Sequence, residues 1–143
     1  MFVGNRVHTI DEKGRVTLPS SMREDLGDRA YITKYDGCLA IWPAQKFAEV
    51  GGMMEQRAEA GEISKRALRT FFTSAEQVRI DKAGRMSIAE PLREYADLSL
   101  SGEAVLAGSF SRIEIWSQER FAENVESDEG DAELAHEMQT RAL

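Results

Sequence analysis

The chain has 143 residues, 42% of them hydrophobic and 30% charged, with a formal net charge of −7. That composition is soluble and globular, with room for one ordinary domain or two very small ones. The net charge argues against a nucleic-acid partner, but eight acidic and two basic residues lie from Glu119 onward, which leaves 17 acids and 16 bases in residues 1–118. The acidity is therefore a C-terminal feature, and a local basic surface remains compatible with it.

The opening residues, Met1-Phe2-Val3-Gly4-Asn5-Arg6, lack the charged start and long apolar core of a signal peptide. No run approaches the ~20 apolar residues of a membrane helix. Cys38 is the one cysteine; beside Leu39 and Ile41 it reads as a buried strand thiol. These features point to the cytoplasm. His8-Thr9-Ile10 and Val16-Thr17-Leu18 suggest two short strands joined by a turn. Between them, Asp11 suits a turn because its carboxylate can accept from backbone amides two residues on. Gly14 supplies a conformation that larger residues resist. Such a turn pushes Lys13 and Arg15 outward.

Residues 19–27 predict a helix of about two turns, capped by serine and ended by Gly27, with Met22 and Leu26 facing inward. Residues 30–33 read as a strand, Asp36-Gly37 as a tight hairpin turn, and residues 38–42 as the return strand, stopped by Pro43. Residues 44–60 look helical, with a bend or interruption expected at Gly51-Gly52. Ile63, Ala67, Leu68, Phe71 and Phe72 have helical spacing, so a second connecting helix runs to about Thr73 and covers a sheet face.

The motif D-x-x-G-R then returns: Asp11, Gly14 and Arg15 recur seventy positions later as Asp81, Gly84 and Arg85. Val78-Arg79-Ile80 leads in, Met86-Ser87-Ile88 leads out, and Pro91 stands at a first helical position. Arg93-Glu94 repeats Arg23-Glu24 at the same offset. At an offset of seventy-four, Ala104-Val105-Leu106-Ala107 repeats residues 30–33, Ile115-Trp116 repeats Ile41-Trp42, and Arg120-Phe121-Ala122-Glu123 repeats Lys46-Phe47-Ala48-Glu49. A four-residue insertion thus lies between Glu94 and Ala104. An ordered internal repeat of this kind implies two equivalent structural units. Each would be marginal alone, since a unit of ~50 residues hides only about 60% of its unfolded surface. The halves are expected to pack on each other or on other copies. The acidic tail from about Asn124 is expected to be mobile.

Two tandem copies of strand, D-x-x-G-R, strand, short helix and hairpin ending in Ile-Trp resemble the MraZ family, and each copy resembles a half of the SpoVT-AbrB DNA-binding fold. The resemblance runs from Met1 to about Asn124. It implies an α+β fold of two AbrB-like, swapped-hairpin-type β-rich halves in a pseudo-two-fold arrangement, with connecting and C-terminal helices. The corresponding boundaries are a first domain at 5–47, a helical connector at 48–75, a second domain at 76–120 and an acidic tail at 121–143. It further implies a cytoplasmic, nucleoid-associated transcriptional regulator, a ring-like homo-oligomer that binds short repeated boxes of double-stranded DNA in the promoter of a division and cell-wall gene cluster. An antitoxin or protein-interaction module, binding a partner through the acidic tail, is the alternative.

The expected DNA-binding residues are Arg15, Lys13, Arg6, Arg23, Arg85 and Lys82, with Asp11, Gly14, Asp81 and Gly84 shaping the two turns. A cationic turn can enter a major groove as a loop or β-ribbon does. An arginine fork suits guanine O6 and N7, and lysine suits phosphate. Arg6 and Arg23 would flank the surface carrying Lys13 and Arg15. The same pairs, Asp11 with Arg15 and Asp81 with Arg85, would equally serve as ion pairs that lock turns or subunit contacts. The second copy has Ala83 where the first has Lys13, so it contributes less to DNA contact. Trp42 and Trp116 read as core anchors. His8 and His136 have no metal-ligand spacing and no glycine-rich phosphate loop occurs, so neither an enzyme, nor a cofactor, nor a small-molecule substrate is expected.

Overall fold

The computed structural model describes residues 1–141. The first copy comprises β1 (Asn5–Thr9), β2 (Arg15–Thr17), α1 (Ser20–Leu26), β3 (Ala30–Tyr35) and β4 (Cys38–Pro43). Helices α2 (Ala44–Glu59) and α3 (Lys65–Ser74) lead to the second copy. That copy comprises β5 (Glu76–Gln77), β6 (Arg85–Ser87), α4 (Glu90–Tyr95), β7 (Glu103–Gly108) and β8 (Ile113–Ser117), followed by α5 (Gln118–Asn124) and α6 (Asp128–Thr140).

The strands of the two copies interleave. One six-stranded antiparallel sheet runs β1-β7-β8-β4-β3-β5, and β2 pairs with β6 in a separate two-stranded ribbon. Each copy thus gives its first strand to the other: β1 pairs with β7, and β5 pairs with β3. The registers match across the repeat, since Arg6 faces Leu106 while Glu76 faces Ile32. In the ribbon Val16 faces Met86, and in the sheet Ala40 faces Glu114. Both pairs join a residue to its own repeat equivalent. A pseudo-two-fold axis therefore passes between Val16 and Met86 and between Ala40 and Glu114.

The core belongs to both copies at once. Ile10, Val16, Leu18, Met22 and Leu26 pack in one cluster with Met86, Ile88, Leu92 and Leu98. Neither half closes this cluster alone, which resolves the marginal size of each unit. Strand β4 has neighbours on both edges, and residues 38–42 are all buried. That explains its unbroken apolar run, because a central strand covered on both faces has no polar side. The Asp36-Gly37 turn has φ of 48° and 85°, the two positive values that a two-residue hairpin favours. Trp42 and Trp116 are buried. The Trp42 indole donates to Thr33 Oγ1 at 2.9 Å and the Trp116 indole to Glu114 Oε1 at 3.0 Å, as buried indole N–H groups require.

Several expectations are corrected. Strands β1 and β2 are joined by a turn as expected, but they belong to different sheets. The lead-in strand of the second copy lies at Glu76–Gln77, ahead of residues 78–80; Val78 N donates to Ala30 O and Ile80 bridges to Met86. Helix α1 has Pro19 at its cap and no side-chain cap bond; the proline's fixed φ sets the helix start instead of serine. Helix α2 runs unbroken through Gly51-Gly52. Gly51 is buried there, and a Cβ on it would lie 3.1 Å from the Phe72 ring, so this glycine serves helix packing, not a bend. The chain beyond Asn124 carries α6 where a mobile tail was expected. Its serine cap, Ser127 accepting from Gly130 N, and the acidic residues of its first turn favour that helix.

Candidate nucleic-acid interface

Both D-x-x-G-R segments fold identically. Asp11 Oδ1 accepts from Lys13 N and Arg15 N, each at 2.9 Å, and Asp11 Oδ2 accepts from Arg15 Nε at 2.8 Å. Asp11 N donates to Arg15 O at 2.9 Å and Gly14 N to Asp11 O at 3.0 Å. In the second turn Asp81 accepts from Ala83 N at 2.9 Å, from Arg85 N at 3.0 Å and from Arg85 Nε at 2.9 Å. One aspartate therefore both closes the turn and holds its arginine. The Arg15 backbone N–H, more than its guanidinium, keeps the Asp11 carboxyl below its ordinary pKa. The Arg85 backbone N–H does the same for Asp81.

The glycines answer two demands. Gly14 and Gly84 have φ of 78° and 81°, which other residues adopt at a cost. Each also lies under an arginine from the opposite copy. A Cβ on Gly84 would meet Arg23 Nη1 at 2.7 Å, and one on Gly14 would collide with Arg93 Nη1, which donates to Ile88 O. Reciprocal backbone bonds, Leu18 N to Gly84 O and Ile88 N to Gly14 O, both at 2.9 Å, stitch the turns together. Arg23 therefore lies against the second turn. It is half-buried, with Nε enclosed.

The β2–β6 ribbon orders the remaining charges. Val16 and Met86 point into the core, so their neighbours point out. Arg15 pairs with Ser87 and Thr17 with Arg85, which puts both arginines diagonally on one outer face, with backbones ~7–8 Å apart. Arg15 is 26% and Arg85 38% exposed. Each gives Nε to its aspartate, and among the described residues the terminal nitrogens have no protein partner. Lys13 and Lys82 are exposed at the turn tips. Each tip thus holds one lysine, offset by a position, since Lys82 corresponds to Glu12 and Ala83 to Lys13. Arg6 is exposed on edge strand β1.

Two arginines join this region that the motif did not single out. Arg79 and Arg93 line, with Lys13, Ser87 and Glu76, a cleft of about 600 Å³ beside the first turn. Arg93 was legible as the repeat equivalent of Arg23. Arg79 carried no signal, because its place depends on β5 crossing to β3. Cys38 is fully buried, and burial pushes its thiol pKa up to about 12, so it has no part in the surface.

A pseudo-symmetric, strand-exchanged sheet that presents paired aspartate-held arginines on one ribbon defines a tandem-repeat α+β protein with a doubled cationic face. The family described as "MraZ protein, putative antitoxin-like" matches residues 1–69 and again residues 71–142. The chain belongs to the MraZ family. It is 39% identical over 122 residues to the Transcriptional regulator MraZ of Desulforamulus reducens, covering 85% of this chain and 84% of that one. The protein of the same name from Halothermothrix orenii is 34% identical over 141 residues, 97% of each chain.

Proposed function

We propose that this protein is a sequence-specific DNA-binding transcriptional regulator and not an enzyme, acting in the cytoplasm at the nucleoid. The observation that carries the reading is the outer face of the β2–β6 ribbon, where Arg15 and Arg85 stand diagonally with Nε held and the terminal nitrogens free. A held Nε orients the guanidinium before binding, which lowers the entropy lost on contact. The free edge can then form the two parallel bonds that guanine O6 and N7 accept. Lys13, Lys82 and Arg6 add phosphate contacts that fix register but carry no sequence information. The relatives' name, Transcriptional regulator MraZ, supports the same reading.

One chain offers few cations, so tight binding calls for repetition. We infer a ring-like homo-oligomer that engages short repeated boxes in the promoter of a division and cell-wall gene cluster; linked turns then gain through effective concentration. The test is a gel-shift titration against the chain's own upstream DNA, paired with a sizing measurement. Arg15→Ala is expected to weaken specific binding by about five- to 150-fold, the ~1–3 kcal/mol of a bidentate base contact, while the assembly keeps its size. Loss of the assembly with Arg15→Ala would make the Asp11 pair structural and end the proposal.

A second reading, in which the tail binds a partner protein, is favoured by one observation: α6 has no buried residue and carries Leu134 and Met138 outward. Deleting residues 124–143 separates the two. Intact specific DNA binding supports the regulator reading, and its loss with the assembly size unchanged supports the interaction module.

A further inference from the structure

We propose that α6 of one chain docks in a groove of a second copy, between α3 and the corner where β3 meets α4. This rests on the reading that the chains associate, and it adds which surfaces meet. Helix α6 carries five acidic residues and no lysine or arginine over Asp128–Thr140, whereas the groove is lined by Lys34 and Arg66 and by no acid. The groove holds about 420 Å³ and is lined by Lys34, Arg66, Ala67, Thr70, Phe71 and Tyr95. Its floor is thus aromatic and aliphatic, and its rim is cationic. Tyr95 is fixed there by accepting from Gly37 N at 3.0 Å, with Lys34 Nζ 5.3 Å from its ring centre.

The face of α6 is the complement. Leu134 and Met138 are 55% and 41% exposed and stand one turn apart, so they share a face. Asp131 and Glu137 fall on either side of that stripe, three residues from Leu134, where they meet cations on a groove rim. An amphipathic helix laid in an apolar groove is a recurring mode of recognition. The geometry of the chain points to a second copy as host. Helix α5, from which α6 departs, sits on β7 and β8 with Phe121 against Trp116, ring centres 6.4 Å apart. The groove lies past β4, beside β3. In its own chain α6 leaves that groove open, with residues 131–140 all exposed.

The test mixes two full-length chains, one with Thr70→Cys and one with Leu134→Cys, under mild oxidation; native Cys38 is buried and does not compete. A disulfide-linked heterodimer as the main product is the expected result. The charge reversal Arg66→Glu is expected to lower its yield on the order of tenfold, and Asp131→Arg or Glu137→Arg in the partner to restore it. Cross-linking only within a chain carrying both cysteines, or none in either arrangement, overturns the proposal, as does a yield indifferent to both reversals. Sizing the same samples keeps the two readings apart. An assembly that persists without the cross-link removes the α6 contact alone, and a monomeric wild-type chain removes association itself.

Discussion

Gly14→Ala isolates the brace that one copy supplies to the other. The substitution meets two separate costs. Gly14 has φ of 78°, and an L-residue there costs about 1–2 kcal/mol. The new Cβ also takes the place of Arg93 Nη1, which donates to Ile88 O. Displacing a charged donor from that carbonyl costs about a further 1.5–3 kcal/mol. Gly37→Ala is the matched control, because Gly37 has φ of 85° but its added Cβ meets nothing within 4 Å. The control is expected to lose about 1–2 kcal/mol and Gly14→Ala about 2.5–5 kcal/mol. For a chain of this size that separates the two by about 6 °C in Tm. The assay is thermal unfolding followed by tryptophan fluorescence at fixed protomer concentration, since any association also contributes. In an Arg93→Ala background the clash is gone, so Gly14→Ala should add only the backbone strain, and the pair should fall short of additivity by about 1.5–3 kcal/mol. Equal destabilisation by Gly14→Ala and Gly37→Ala, or full additivity with Arg93→Ala, would refute the crossed-arginine brace.

Three other outcomes are expected. Lys13→Ala should leave the choice of DNA sequence unchanged and reduce the slope of log affinity against log salt by about one; an unchanged slope in a filter-binding series would remove Lys13 from the phosphate contacts. Cys38, with its pKa raised to about 12, should resist iodoacetamide at pH 8 in the folded protein and react only on unfolding, so rapid native labelling read by mass spectrometry would contradict its burial. Asp11 and Asp81 both have lowered pKa values. Their stabilisation is therefore present above the unfolded aspartate pKa of ~3.9 and is lost as pH falls through the lower folded values. Denaturant midpoints measured from pH 6 down to pH 2 should fall less steeply for Asp11→Asn than for wild type, and parallel curves would show that the turn does not depend on the carboxylate.

Local signals were legible where short-range chemistry decides the outcome. Asp36-Gly37 and the two D-x-x-G-R turns could be read because their bonds span at most four residues. The hydrophobic run at residues 38–42 marked a buried strand, and Met22 with Leu26 marked the inner face of α1. Errors arose where a partner distant in sequence intervened. Gly51 looked like a helix breaker until Phe72 was found against it. Arg23 reads as a surface cation in the sequence, and in the structure it lies half-buried against Gly84. The end of the chain read both as a C-terminal helix and as a mobile tail, because the Leu134 and Met138 stripe of α6 is short and its composition is acidic.

Residue order establishes two equivalent units, each with a D-x-x-G-R turn. Repetition and turn chemistry are local properties, written in that order. How the units engage each other is settled by long-range packing. Strand exchange puts β1 beside β7 and β5 beside β3, pairs β2 with β6, and so brings Arg15 and Arg85 onto one face. Nothing in a single copy encodes that pairing. It follows because each half has too little core to close alone, and exchanging strands lets both halves bury one.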